Sequence, residues 1–137
     1  LYAPAYVPDA TMREALMREA ADLPVTFHPY IRDRRELADA MTVADVAIAP
    51  GPVETFGLAA LEAMACGVPT VCPREGALGE VVGSGGIVAE STPEACADAV
   101  LTLAKRPNAR KQARAQAERF TWATSADRML ALHAAIN

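Results

Sequence analysis

A chain of 137 residues is about one domain by length, and at 52% hydrophobic it can bury a core. Only 5% of the residues are aromatic, so that core is mainly Ala, Val, Leu and Met. A formal net charge of -4 argues against nucleic acid as the main partner. Phosphate ligands stay open, because they need only local positive charge or a helix N-terminus.

No apolar run approaches the roughly 18 residues of a membrane span, and the start carries no signal-peptide pattern. The chain opens on Leu1 rather than Met, so further residues are expected upstream. An odd set of cysteines, Cys66, Cys72 and Cys96, with no CxxC pair, reads as a reducing, cytoplasmic setting. Each is read as a filler of small apolar space.

In chain order, Leu1–Ala5 reads as a short strand and Thr11–Asp22 as a helix capped by Asp9 or Thr11. Pro24 introduces a strand over Val25–Phe27. Arg34–Val43 is helical, with Leu37, Ala40, Met41 and Ala44 on one face. Asp45–Ala49 is a clear strand. Gly57–Cys66 is an apolar helix closed by Gly67. Val71-Cys72 is a buried strand, Leu78–Val82 a helical turn, and Gly86–Ala89 a last short strand. Thr92–Lys105 is a helix with Thr92 as its cap and Pro93 at its first position. Asn108–Phe120 is polar and basic, and Ser125–Ile136 closes the chain. Strands alternating with helices at this spacing give an α/β fold, a Rossmann-like parallel sheet with helices on both faces. The continuous apolar strands agree. GxGxxG and GxxxxGK[ST] are both absent, which weakens ordinary dinucleotide and P-loop readings.

The chemistry concentrates in Glu54-Thr55-Phe56-Gly57-Leu58 through Glu62. From Phe56 to Cys72, Glu62 is the one charged residue. A helix apolar nearly all round is expected to be buried, and a buried carboxylate needs donors. A ribose diol supplies two. Glu54 stands before the helix, at its mouth. The N–H groups of Phe56, Gly57 and Leu58 are first-turn orphans that suit an anion, and Gly57 leaves room for close approach. The loop follows the carboxyl end of a strand, where open parallel sheets bind ligands. The plainer reading makes Glu54 an exposed loop residue and Glu62 a cap or ion-pair partner.

These residues resemble the donor-binding C-terminal domain of GT-B glycosyltransferases, most of all the retaining family 4. The pattern is E-x7-E with an internal FGL. Cys66-Gly67-Val68-Pro69-Thr70-Val71, the upstream Val25–Ile31, Glu36-Leu37 and Ala44-Asp45-Val46, and Phe120-Thr121-Trp122 also match. The resemblance covers nearly all of 1–137, as part of a nucleotide-sugar-binding domain. It implies that Glu62 accepts from ribose hydroxyls and that Glu54, the catalytic-side carboxylate, contacts the transferred sugar. Main-chain N–H groups of Thr55, Phe56, Gly57 and Leu58 would hold the sugar and diphosphate. Tyr30, Ile31 and Arg32 would lie by the nucleobase. The implied reaction is α-glycosyl transfer with retention, from GDP-mannose or a UDP-hexose to a glycan, lipid or small-molecule acceptor. No metal or other cofactor is implied, and the sequence has no DxD pair or His/Cys cluster.

The family's first strand, central in the order 3-2-1-4-5-6, and the Arg and Lys that grip the diphosphate would precede Leu1. So would the acceptor domain, which leaves this chain inactive alone. A nucleotide-sugar-binding or regulatory module that has lost catalysis is the alternative. Elsewhere, His28 reads as a strand-end residue and Arg34 and Arg35 as a solvated face. Arg74–Glu80 is a loop that would line the cleft, with Glu80 as a local cap. Gly83–Gly86 reads as a turn, and His133 as structural. The basic run Arg106–Arg119 reads as a solvated surface, with a missing domain or an anionic membrane, on the cytoplasmic face, as the minority reading.

Overall fold

A computed structural model describes residues 2–4, 10–51 and 54–136. Leu1, Ala5, the candidate cap Asp9, and Pro52-Val53 of the loop fall outside the described residues. The chain divides into two compact units, Leu1–Leu37 and Ala38–Asn137.

The first unit holds β1 (Tyr2–Pro4), α1 (Ala10–Glu19) and β2 (Thr26–His28). The strands run parallel, with Ala3 opposite Phe27. The unit ends inside α2 (Arg34–Thr42), and Asp33 starts that helix. Its Oδ1 accepts from the N–H groups of Arg35 and Glu36, 2.9 Å each, satisfying two first-turn donors.

The second unit holds β3 (Ala47–Ile48), β4 (Thr70–Pro73) and β5 (Gly86–Ala89), all parallel, in the order β3-β4-β5. Its helices are α3 (Leu58–Ala65), α4 (Leu78–Val82), α5 (Pro93–Ala104), α6 (Ala109–Ala117) and α7 (Trp122–Ile136). All four β4 residues are buried. Alternation along β4 sorts the core into two layers. Cys72 joins Met64 of α3, Leu78 and Val82 of α4, and Ala113 and Ala117 of α6. Val71 joins Ala89, Ala99 and Leu103 of α5, and Ala109. Helices therefore cover both faces, as expected. Each fully buried Met, Leu or Val contributes about 1.5–3 kcal/mol.

In each unit, taken by itself, the neighbouring strands are ones that the expected order also makes neighbours. β1 and β2 match its second and third strands, and β3, β4 and β5 its fourth to sixth.

Several boundaries move. α3 begins at Leu58, because Gly57 has a left-handed backbone (φ 87, ψ 45) and serves as the N-cap. It ends as read, at Gly67 (φ 75). There the N–H of Val68 reaches Ala63 C=O (2.9 Å) and that of Gly67 reaches Met64 C=O (2.8 Å), a Schellman closure. α7 starts at Trp122, earlier than Ser125, because Thr121 Oγ1 accepts from the N–H of Thr124 (3.0 Å). Glu80 is not a cap. It lies in the first turn of α4, whose N-cap Ala77 makes no side-chain bond. Gly83–Gly85 forms a short 3-10 turn into β5.

Candidate donor site

Gly57 sets the geometry. Its left-handed conformation turns the chain from the loop into α3, and a Cβ there would lie 2.2 Å from Cδ2 of the buried Leu78. The N–H of Leu61 closes the first turn on Gly57 C=O (3.1 Å). That leaves the N–H groups of Leu58, Ala59 and Ala60 without an intrahelical acceptor. The first-turn donors therefore extend beyond the expected Leu58 to Ala59 and Ala60, because the helix starts one residue later.

The helix is not buried all round. Ala60, Ala63 and Met64 face the core, while Leu58 is 62% exposed and Ala59 is exposed. Glu62 follows Leu58 by four residues, so the two share a face. That face is turned away from the core, and Glu62 is half-buried on it. Its carboxylate is thus accessible rather than sealed.

Glu54 is exposed and lines a cavity of about 300 Å³. The walls are Ala47, Ile48 and Ala49 of β3 and its end, Pro50 and Gly51, and Ala59, Ala60 and Ala63 of α3, with Met41 and Thr70. Glu54 is the one charged residue in this lining. The cavity thus joins the carboxyl end of β3, Glu54 and the first turn of α3. A second cavity of about 310 Å³ flanks the same strand end, between the ends of β4 and β5 and the start of α5. Pro50 borders both.

Thr55 and Phe56 are exposed. The Phe56 ring meets Phe120 edge-on, with centroids 6.0 Å apart and planes at 80°. This contact ties the loop to the segment between α6 and α7. The 74–80 segment is tied to the loop after β5. Arg74 pairs with Glu90 (2.6 Å), both largely exposed, so the pair stabilises little. Ser91 Oγ donates to the Glu75 carboxylate, which lowers the Glu75 pKa, helped by its own backbone N–H and weakly by Arg74.

Tyr30, Ile31 and Arg32 follow β2 in the first unit, Tyr30 73% exposed and Ile31 half-buried. The second unit thus brings Glu54 and α3 together, while the three candidate base contacts belong to the other unit. Sequence reasoning missed Leu78 beneath Gly57, Phe120 beside Phe56, and Ala59 as a first-turn donor. The glycine between Phe56 and Leu58 was the available signal for the first. Among the described residues, no three His, Cys, Asp or Glu side chains cluster as metal ligands, and no helix is long and apolar enough to cross a membrane.

A family model described as glycosyl transferases group 1 matches residues 6–106. The GDP-mannose-dependent alpha-(1-6)-phosphatidylinositol dimannoside mannosyltransferase of Mycobacterium tuberculosis is 48% identical over 126 residues, covering 90% of this chain and 33% of that protein. The D-inositol 3-phosphate glycosyltransferase of Saccharomonospora viridis is 39% identical over 106 residues, covering 72% of this chain and 25% of that protein. The chain thus spans a third or less of these relatives. Among solved structures, sucrose-phosphate synthase of Thermosynechococcus elongatus superposes with a TM-score of 0.77 at 28% identity, over 99% of this chain and 37% of that one. The pneumococcal O-GlcNAc transferase GtfA shares the fold, with a TM-score of 0.66 at 19% identity over 90% of this chain and 28% of that one.

Proposed function

The chain belongs to the glycosyl transferases of group 1, and on that premise we propose that it binds a nucleotide-diphosphate sugar for a family 4-like, retaining α-glycosyl transfer carried out by a longer protein. GDP-mannose is the donor we favour over a UDP-hexose, because the relative at 48% identity is named as GDP-mannose-dependent. The acceptor would be a glycan, a lipid or a small molecule. That same relative, named for phosphatidylinositol dimannoside, favours a lipid-linked one.

The observation that carries the reading is the cavity at the end of β3, where Glu54 faces the first turn of α3. In this assignment the N–H groups between Thr55 and Ala60 bind the diphosphate and the sugar. The positive end of α3 then opposes the charge that builds on the leaving diphosphate as the glycosidic bond breaks. Glu54 orients the sugar through its hydroxyls. Glu62, accessible on the outer face of α3, accepts from the ribose diol. Tyr30, Ile31 and Arg32 hold the base. Charge stabilisation comes from helix N–H groups and basic residues, so the scheme calls for no metal ion. The reaction is placed in the cytoplasm.

GDP should raise the thermal midpoint of the full-length protein more than UDP or ADP. A ligand at a hundred times its Kd stabilises by about 2.7 kcal/mol. Glu62→Ala should remove the GDP shift while leaving the unliganded midpoint nearly unchanged, since Ala is a good helix former and Glu62 lies off the core face. A parent protein that no nucleotide stabilises would overturn the assignment.

A further inference from the structure

The amino ends of β3 and β4 carry a cavity of a different character from the one at Glu54. It measures about 440 Å³ and lies between Asp45 and Pro69, which precede the strands, and the turn from α5 into α6. Arg106, Arg110 and Lys111 line it. The stretch 105–119 holds six Lys or Arg and one Glu, on a chain of net charge -4, so positive charge is gathered here. The one acid, Glu118, is taken by Arg114 (2.8 Å).

The two guanidinium groups are held by carbonyls. Arg106 Nη1 donates to Gly86 C=O (3.2 Å), and Arg110 donates to the carbonyls of Ala44 and Thr42 (2.8 Å each). Carbonyl acceptors fix the planes of these groups without neutralising them, and each guanidinium keeps further N–H donors. Among the described residues neither Arg106, Arg110 nor Lys111 forms an ion pair. The first turn of α6 forms part of the same wall, and its N-cap Asn108 makes no side-chain capping bond. Asp45 is the one carboxylate in the lining.

We propose that this cavity is a second anion site, separate from the donor loop, that takes a phosphate-bearing group. Three fixed or exposed cations and the positive end of α6 converge on it, and Asp45 weakens it. The phosphate is that of a lipid headgroup or of a free phosphate compound. The inference does not depend on the nucleotide-sugar reading, whose residues lie at the opposite strand ends.

The test uses the full-length protein and two substitutions of exposed side chains with opposite expected signs. Affinity for inorganic phosphate is measured by calorimetry. Lys111→Glu should weaken it by about fivefold, and Asp45→Asn should tighten it by about twofold, the scale of partly exposed charge pairs. A phosphate bound at the donor loop contributes equally in all three proteins and so does not imitate this pattern. Cosedimentation with vesicles of phosphatidylcholine, with and without phosphatidylglycerol, identifies the source. Retention only on the anionic vesicles, in the same rank order, supports the site with a lipid headgroup. Phosphate affinities in that order without retention support the site with a free phosphate compound. Equal phosphate affinities in all three proteins, or shifts of the same sign in both variants, overturn the proposal.

Discussion

Gly57 stands at φ 87, with Cδ2 of Leu78 2.2 Å from where a Cβ would be. Leu78 is 1% exposed and closed in by the Met64 and Val82 layer, so it has little room to give. Gly57→Ala should therefore destabilise by about 2–4 kcal/mol, combining left-handed backbone strain with overpacking. Urea unfolding should show a lower midpoint at an unchanged slope, and any nucleotide-induced stabilisation should fall with it. Titration separates two other residues. Burial pushes the Cys72 thiol above its ordinary value of 9.0. That contribution to stability is complete below the ordinary value and is lost as pH rises through the folded one. Iodoacetamide at mildly alkaline pH should therefore label the half-buried Cys66 and Cys96 before Cys72. Glu75 behaves oppositely, since the Ser91 hydroxyl holds its pKa below 4.5. Its contribution is present above the ordinary value and is lost as pH falls through the lowered one. Ser91→Ala should return the Glu75 carboxyl titration, followed by NMR, toward 4.5.

At the scale of elements, α5 and α6 show what the amino-acid pattern discloses and what it hides. Thr92-Pro93 is a local start signal, and the Thr92 side chain does accept from the N–H of Ala95 (3.2 Å). Gly67 is a local stop signal and also holds. The E-x7-E loop was legible for the same reason, since its residues are neighbours along the chain. Gln116 was not. α6 reads as polar, yet Gln116 is 3% exposed. Its Nε2 donates to Val81 C=O (3.0 Å), and its Oε1 accepts from Ser84 (3.3 Å) and Arg119 (3.2 Å). Arg119 is a near neighbour, but Val81 and Ser84 come from α4 and the following turn, so no periodicity within α6 could disclose them. Gln116→Leu would leave the Val81 carbonyl unpaired and should cost about 1–3 kcal/mol in urea unfolding. The same cause explains the error over α3. Its composition reads as buried on every side, but Ala60, Ala63 and Met64 meet the core with Leu61 and Ala65 partly buried beside them, while Leu58 and Ala59 are exposed.

Across the whole chain, burial is confined. Among the described residues every buried apolar core residue lies between Ala60 and Ala117. α1, α2 and α7 have none. α7 presents Trp122 at 92%, Met129 at 68%, Leu130 at 69% and Ile136 at 77% exposure. Amide exchange follows local opening, and a helix without buried contacts opens at little cost. Fifteen residues of isolated helix are marginal in water, because most helical stability comes from packing an apolar face. In this chain alone, amides of β4, β5, α3 and α6 should therefore exchange slowest, and those of α1 and α7 near the unprotected rate. Because the chain spans a third or less of its curated relatives, the full-length protein should slow exchange in α7 selectively, with little change in β4. Exchange in α7 that is equally fast in both would mean that its apolar residues stay solvated there too. Slow exchange in the short chain would mean that the helix is stabilised by something other than buried contacts.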